Sequence, residues 1–240
     1  MNLVNSLCSF FCPQGTPETG SVGSKRFADN LRILFVNGIG TSHDECRNKC
    51  RSISQIFGDS RVDYAYLPLT IPDVVNALNP ESKSNSQLLK KIQTLLAELK
   101  PWSQPHTEQK TNNYLMGGPR LLIIAHSGGG AEIKTLMKEL PAQNRDLIDI
   151  VSLGSAHLFR PKEGWRKTDN FVARTDPIPF ICSCIAGNLR SLIHQATHYI
   201  GREQESIGEA HGFLNPTYQR ALQRIASTYK KEHAKTLNIR

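Results

Sequence analysis

No apolar run in the sequence approaches the ~20 residues that a bilayer-crossing helix needs. The longest, Arg120–Ala125 and Leu147–Leu153, are the size of a strand, so a helical membrane protein is excluded. Internal repeats and long low-complexity tracts are also lacking. The six cysteines fall in three pairs, Cys8/Cys12, Cys46/Cys50 and Cys182/Cys184. None has the CxxC spacing that favours structural zinc. A chain of 240 residues with no evident secretory signal is not read as a disulfide framework either. His43, Cys46 and Cys50 share one helix face, where a metal is conceivable, but small buried thiols are the simpler reading. No metal and no cofactor are expected. The N-terminus lacks a basic leading region and a small-residue cleavage site, so it is not read as a signal peptide. The compartment stays open between the cytoplasm and export without such a signal.

What is present is apolar content of 39%, too patterned for wholesale disorder and enough for one ordinary α/β domain. The net charge is +8, from 29 basic and 21 acidic side chains. Five of those eight charges lie in Thr217–Arg240, where Arg220, Arg224, Lys230, Lys231, Lys235 and Arg240 face the single acid Glu232. Such an excess reads as a solvated helix face. Without interleaved aromatics it gives no platform for single-stranded nucleic acid, and no nucleic-acid partner is expected. Residues Pro13–Ser24 are rich in Gly, Pro, Ser and Thr, so residues 1–28 read as a flexible leader and 29–240 as one domain with a basic C-terminal helix. Cys8 and Cys12, beside Phe10 and Phe11, are candidate acylation sites.

Strand and helix patterns then alternate. Leu31–Val36, Arg61–Leu67, Arg120–Ala125, Leu147–Leu153 and Phe171–Arg174 predict five strands. Helices are predicted over Asp44–Phe57, at Leu88–Leu99, after Ser127, after Asp176, around Leu192–Ile200 and through Tyr218, Leu222, Ile225 and Tyr229. This predicts an α/β fold: a small, about five-stranded, mostly parallel sheet with helices on both faces. Ligands of such sheets bind at the carboxyl ends of the strands, so the loops there carry the search.

The strongest signal is Ala125-His-Ser-Gly-Gly129, directly after a strand and directly before a helix. A serine on so tight a turn needs small residues two positions before and after it. This is the G-x-S-x-G elbow with alanine for the first glycine. It exposes the Ser127 hydroxyl and aims the Gly128 N–H at a developing oxyanion. His126 reads as a support residue. A serine also needs a base, and the base an orienting carboxylate. Asp176 follows the fifth strand, in Thr175-Asp-Pro, whereas its rival Asp169 precedes that strand. His211, before the last helix, is the expected base ahead of His194 and His198. In the glycine-rich loop Asn37-Gly-Ile-Gly-Thr41, the Ile39 N–H is the expected second oxyanion donor, with Gly40 next. Gly38, Gly40 and His157 are expected to line the substrate site. The phosphate-binding glycine patterns do not occur here.

In order and in topological place, Asn37-Gly-Ile-Gly40, the elbow, Asp176-Pro-Ile-Pro179 and His211 resemble the α/β-hydrolase superfamily, its serine esterase and lipase branches above all. The likeness spans about Leu31–Tyr229. The N-G-I loop, the H-S-x-G elbow, the D-x-I-P turn and His211–Tyr218 resemble, more narrowly, hydrolase-like proteins of chlamydiae and their relatives. The resemblance implies a serine hydrolase with a Ser127–Asp176–His211 triad, acting on a small-molecule or lipid ester or a thioester through an acyl-enzyme. It also brings departures. Asn37-Gly38 stands where many lipases have His-Gly, and the superfamily's first hairpin is not evident. The Phe159–Asn170 insertion, where lids often lie, is short and basic, with Trp165 offering an apolar contact. Peripheral membrane contact is compatible with this reading, and the oligomeric state is left open. The competing expectation is a catalytically inactive binding or effector module on the same fold.

Overall fold

The computed structural model describes residues 15–99, 118–187, 189–201 and 211–237. Within them a seven-stranded sheet runs in the order β1-β3-β2-β4-β5-β6-β7. Its strands are β1 (Glu18–Val22), β2 (Leu31–Val36), β3 (Val62–Tyr66), β4 (Arg120–His126), β5 (Ile148–Leu153), β6 (Lys167–Ala173) and β7 (Thr197–Ile200). Neighbours are parallel except β1, which pairs antiparallel with β3. The helices are α1 (His43–Ile56), α2 (Ile71–Leu78), α3 (Ser86–Leu99), α4 (Gly129–Thr135), α5 (Ala142–Arg145), α6 (Ile178–Ile185) and α7 (Pro216–Leu237).

Alternation along each strand divides the core in two. Leu34, Val36, Leu121, Ile123 and Ala125 face one side, against α2, α3 and α4. Ile33, Phe35, Leu122 and Ile124 face the other, against α1 and α7. The sheet is therefore covered on both faces, and β2, β4 and β5 are buried along their whole length, as their near-continuous apolar runs require. Arg32 is the polar exception within β2, and its Nε meets Glu98 at 2.9 Å. Capping boxes start α1 (Ser42 with Glu45) and α2 (Thr70 with Asp73), supplying acceptors for N–H groups that have no helical partner. Helix α7 exposes Arg220, Arg224, Lys230 and Lys231 and buries Tyr218, Leu222, Ile225 and Tyr229. Its end is tied to the sheet by Arg120–Glu232 and by the Tyr229 hydroxyl, which donates to Asp149 at 2.5 Å.

The α/β class with a mostly parallel sheet is as expected, but the sheet has seven strands rather than about five. One additional strand, β1, lies in the stretch read as a leader; its exposed, Gly/Ser-containing sequence carries little strand signal, and cross-strand pairing with the buried β3 supplies the order. The other, β7, corrects the helix predicted around Leu192–Ile200. Thr-His-Tyr-Ile is a β-favouring run too short to declare itself beside helical-looking spacing. The leader's residues 1–14, with Cys8 and Cys12, lie outside the described residues. Trp165 is not an exposed contact: it packs in the core with Phe159.

Candidate active site

Strand order places β2 and β4 side by side, while the chain leaves β2 toward β3 on one flank and continues from β4 to β5 on the other. The crevice above such a switch point is where an open α/β sheet binds ligands. Ser127 stands there. β4 ends at His126 and α4 begins at Gly129, so Ser127 and Gly128 make the whole turn, Ser127 at φ +51° and Gly128 already in the helical conformation. The left-handed conformation of Ser127 costs a side-chain-bearing residue ~1–2 kcal/mol. Packing onto the end of β5 holds it in place: the Ser127 N–H donates to Leu153 O at 3.2 Å, and its carbonyl accepts the Ala156 N–H at 2.9 Å. Small neighbours are needed because β2 is so close. A Cβ on Gly129 would lie 2.5 Å from Asn37 O and 2.7 Å from Val36 O.

Asp176 and His211 converge on this turn. His211 Nδ1 lies 2.8 Å from Asp176 Oδ2, and its Nε2 lies 2.9 Å from Ser127 Oγ. The three side chains thus form one hydrogen-bonded chain, from a carboxylate with no solvent exposure to an imidazole that is 24% exposed. The second carboxylate oxygen of Asp176 accepts the Ile178 N–H at 3.0 Å.

The loop after β2 closes the other side. A Cβ on Gly38 would meet Ser127 Cβ at 2.5 Å, and one on Gly128 would meet Ile39 Cγ1 at 3.0 Å, so Gly38, Ile39 and Gly128 lie against the serine. Asn37, fully buried, pins this loop. Its amide donates to Gly38 O (2.9 Å) and Leu67 O (2.7 Å) and accepts the Leu67 N–H (2.7 Å). Farther along, the Lys49 ammonium donates to Thr41 Oγ1 at 3.0 Å, and burial pulls its pKa down.

The remaining expected residues have other partners. The Gly40 N–H turns to Leu69 O at 3.4 Å. His157 is buried, with its Nε2 3.1 Å from Glu163 Oε2. Asp169 lies within β6, not before it; it is ion-paired with Lys167, and its Oδ1 lies 3.5 Å from His198 Nε2. His194 Nδ1 accepts the Ala196 N–H at 3.1 Å.

Three residues at the site escaped the sequence reading. The Tyr218 hydroxyl donates to Asp176 Oδ2 at 2.8 Å and accepts the Ala173 N–H at 3.2 Å. In sequence Tyr218 is one more aromatic on the apolar face of α7, with nothing to say where its hydroxyl ends. Gly154, at φ +53°, passes beneath the carboxylate; a lone glycine at a strand's end is only a weak cue. Glu132 lies one helical turn beyond Gly128 and is 8% exposed. Burial first, and then the nearby Asp73 charge, raise its pKa to about 7.

Glu132 makes stability depend on pH. In the unfolded chain it ionises near its ordinary value of 4.5, and in the folded protein at about 7. Its favourable contribution is therefore complete below 4.5, falls as pH rises through that window, and is gone above about 7. A shift of this size corresponds to about 3 kcal/mol. Glu132→Gln is expected to flatten the slope and to stabilise the protein at pH 8, as read by urea denaturation at pH 5 and pH 8. An unchanged slope would show that Glu132 ionises normally.

No protein-family model matches the chain, and no curated protein matches its sequence. Among solved structures it is similar to an arylesterase, with 13% identity and a TM-score of 0.49, over 95% of this chain and 90% of that one. It is also similar to a hyperthermophilic esterase from the archaeon Pyrobaculum calidifontis, with 12% identity and a TM-score of 0.48, over 95% and 87% of the two chains. A monoclinic form of a Pyrobaculum calidifontis esterase gives 12% identity and a TM-score of 0.44, over 95% and 89%.

Proposed function

We propose that this protein is a serine hydrolase of carboxylic esters, working through an acyl-enzyme on Ser127 in a single domain of residues 29–240 extended by β1. The observation that carries this reading is the unbroken chain Asp176–His211–Ser127, at 2.8 and 2.9 Å, on a strained turn between strand and helix. Ser127 Oγ attacks the carbonyl carbon while His211 Nε2 takes its proton. Asp176 keeps the other proton on Nδ1 and offsets the imidazolium charge. The N–H groups of Ile39 and Gly128 receive the oxyanion, each such donor contributing about 3–4 kcal/mol in related chemistry. His211 returns its proton to the departing alcohol or thiol. Water then adds by the same route, and the acid leaves.

The surroundings favour an apolar acyl group. Val74 of α2, with Leu69 and Ile39, surrounds Gly128. α2 and the uncharged α6 pack together and expose Ile71, Val75, Phe180 and Ile181. Lipid esters, small esters and thioesters fit this setting, and peripheral contact with a lipid surface is compatible with it. The basic end of α7 is tied to the start of β4, at the opposite end of the sheet from the serine.

The test is labelling with a fluorophosphonate, paired with turnover of p-nitrophenyl esters of increasing chain length. Wild type is expected to label once and Ser127→Ala not at all. Equal labelling of both, or of neither, favours the inactive binding module.

A further inference from the structure

His126 is an imidazole that the proposed chemistry leaves unused, yet it is only 5% exposed and directly precedes the serine. Its Nε2 lies 3.0 Å from the backbone carbonyl oxygen of His211. A carbonyl can only accept, so Nε2 carries the proton and Nδ1 is a bare lone pair. Nδ1 is buried and has no partner among the described residues. The ring lies 5.2 Å from the His211 ring, tilted by 31°. Phe213 meets it edge-on at 5.4 Å, and Tyr218 at 6.4 Å.

We propose that His126 is a positioning residue for His211, fixing the base through its backbone carbonyl and through ring contact; the inference rests on the serine-hydrolase reading. Two parts of one residue, its backbone carbonyl and its ring, are held at once. The carbonyl bond sets where residue 211 leaves the backbone, and the neighbouring ring limits how its imidazole can turn. Both distances in the Asp176–His211–Ser127 chain depend on that orientation. The ionisable groups facing His126 are His211 and Tyr218 from the α7 side and Lys49 from α1. Burial first, then the His211 and Lys49 charges, push its pKa well below the usual histidine range. It therefore stays neutral while His211 becomes an imidazolium, and adds no opposing charge at the moment the proton moves. An apolar residue at this place would pack, but it would leave the His211 carbonyl without its donor. A glutamine amide nitrogen reaches about as far as Nε2 and restores the donor.

The experiment compares wild type, His126→Phe and His126→Gln on p-nitrophenyl acetate, with Ser127→Ala as the separate control for the hydrolase reading. His126→Phe is expected to lower kcat by ~10- to 100-fold, the scale of a small misplacement of a reacting group. KM should stay nearly constant, and fluorophosphonate labelling should be slower but still reach one per chain. His126→Gln is expected to recover most of kcat. Folding-independent support comes from 15N NMR of the wild-type imidazoles: His126 should show the Nε2–H form throughout pH 5–9. Wild-type kcat in a folded His126→Phe overturns the proposal, as does an Nδ1–H form of His126 or its titration within that range. Absence of wild-type labelling would instead sink the hydrolase reading itself.

Discussion

Ser127→Ala is expected to lower kcat toward a p-nitrophenyl ester by about 10⁶-fold, and Asp176→Asn by about 10⁴-fold. On the proposed reading the first removes the nucleophile, leaving only binding and the oxyanion donors. The second is argued from two of the carboxylate's three bonds, the third being the one Oδ2 accepts from the Tyr218 hydroxyl. Oδ1 accepts the Ile178 N–H at 3.0 Å, while Oδ2 faces His211 Nδ1 at 2.8 Å. An asparagine keeps its carbonyl oxygen toward Ile178, because that buried donor needs an acceptor. Its NH₂ then falls where Oδ2 was and donates to Nδ1. His211 must place its own proton on Nε2, the atom that has to accept the Ser127 proton. The base is present and correctly placed, but in the wrong tautomer. Stopped-flow and steady-state rates of the two variants, with circular dichroism as the folding control, check the order. Asp176→Asn within tenfold of wild type would show that this carboxylate does not orient the base.

Gly154→Ala is expected to disable the site from below, without replacing any of its reacting groups. A Cβ there would lie 2.5 Å from Asp176 Oδ2, 2.7 Å from the Tyr218 hydroxyl and 3.2 Å from His211 Nδ1. The residue also sits at φ +53°, which costs an alanine ~1–2 kcal/mol. Neither neighbour can step aside cheaply. Asp176 is tied to Ile178, and the Tyr218 hydroxyl also accepts the Ala173 N–H. The carboxylate must therefore shift relative to the imidazole, at a cost of about 10²-fold in kcat/KM for an ångström-scale displacement. A measurable fall in melting temperature should accompany it. Full activity with unchanged melting temperature would mean that the backbone yields there instead. Comparison with Tyr218→Phe separates the causes, since that variant removes one hydrogen bond to Asp176 and introduces no clash.

The legible part of the site was the part written in adjacent residues. Ala125–Gly129 needs no partner to be read: a serine flanked by small residues, after an apolar run and before a helical one, describes its own turn. Asp176 and His211 were readable through their places, one past a strand and one before the last helix. The two strands that were missed carry weak local patterns, and only pairing with β3 and β6 orders them. Tyr218 and Gly154 were unreadable for a different reason, since a hydroxyl's partner and the space beside a Cα are properties of segments distant in sequence. The same holds for Glu132, whose raised pKa comes from what covers it.

By itself, then, the sequence determined the alternation of strands and helices and the tight serine turn, and offered Asp176 and His211 as the proposed acid and base, because these follow from local periodicity and steric need. Only the tertiary structure decided the distances among Asp176, His211 and Ser127, the sheet's outer strands and the supporting contacts of His126, Tyr218 and Gly154. Those depend on where the chain returns to itself, and that is set by the packing of two cores across one sheet.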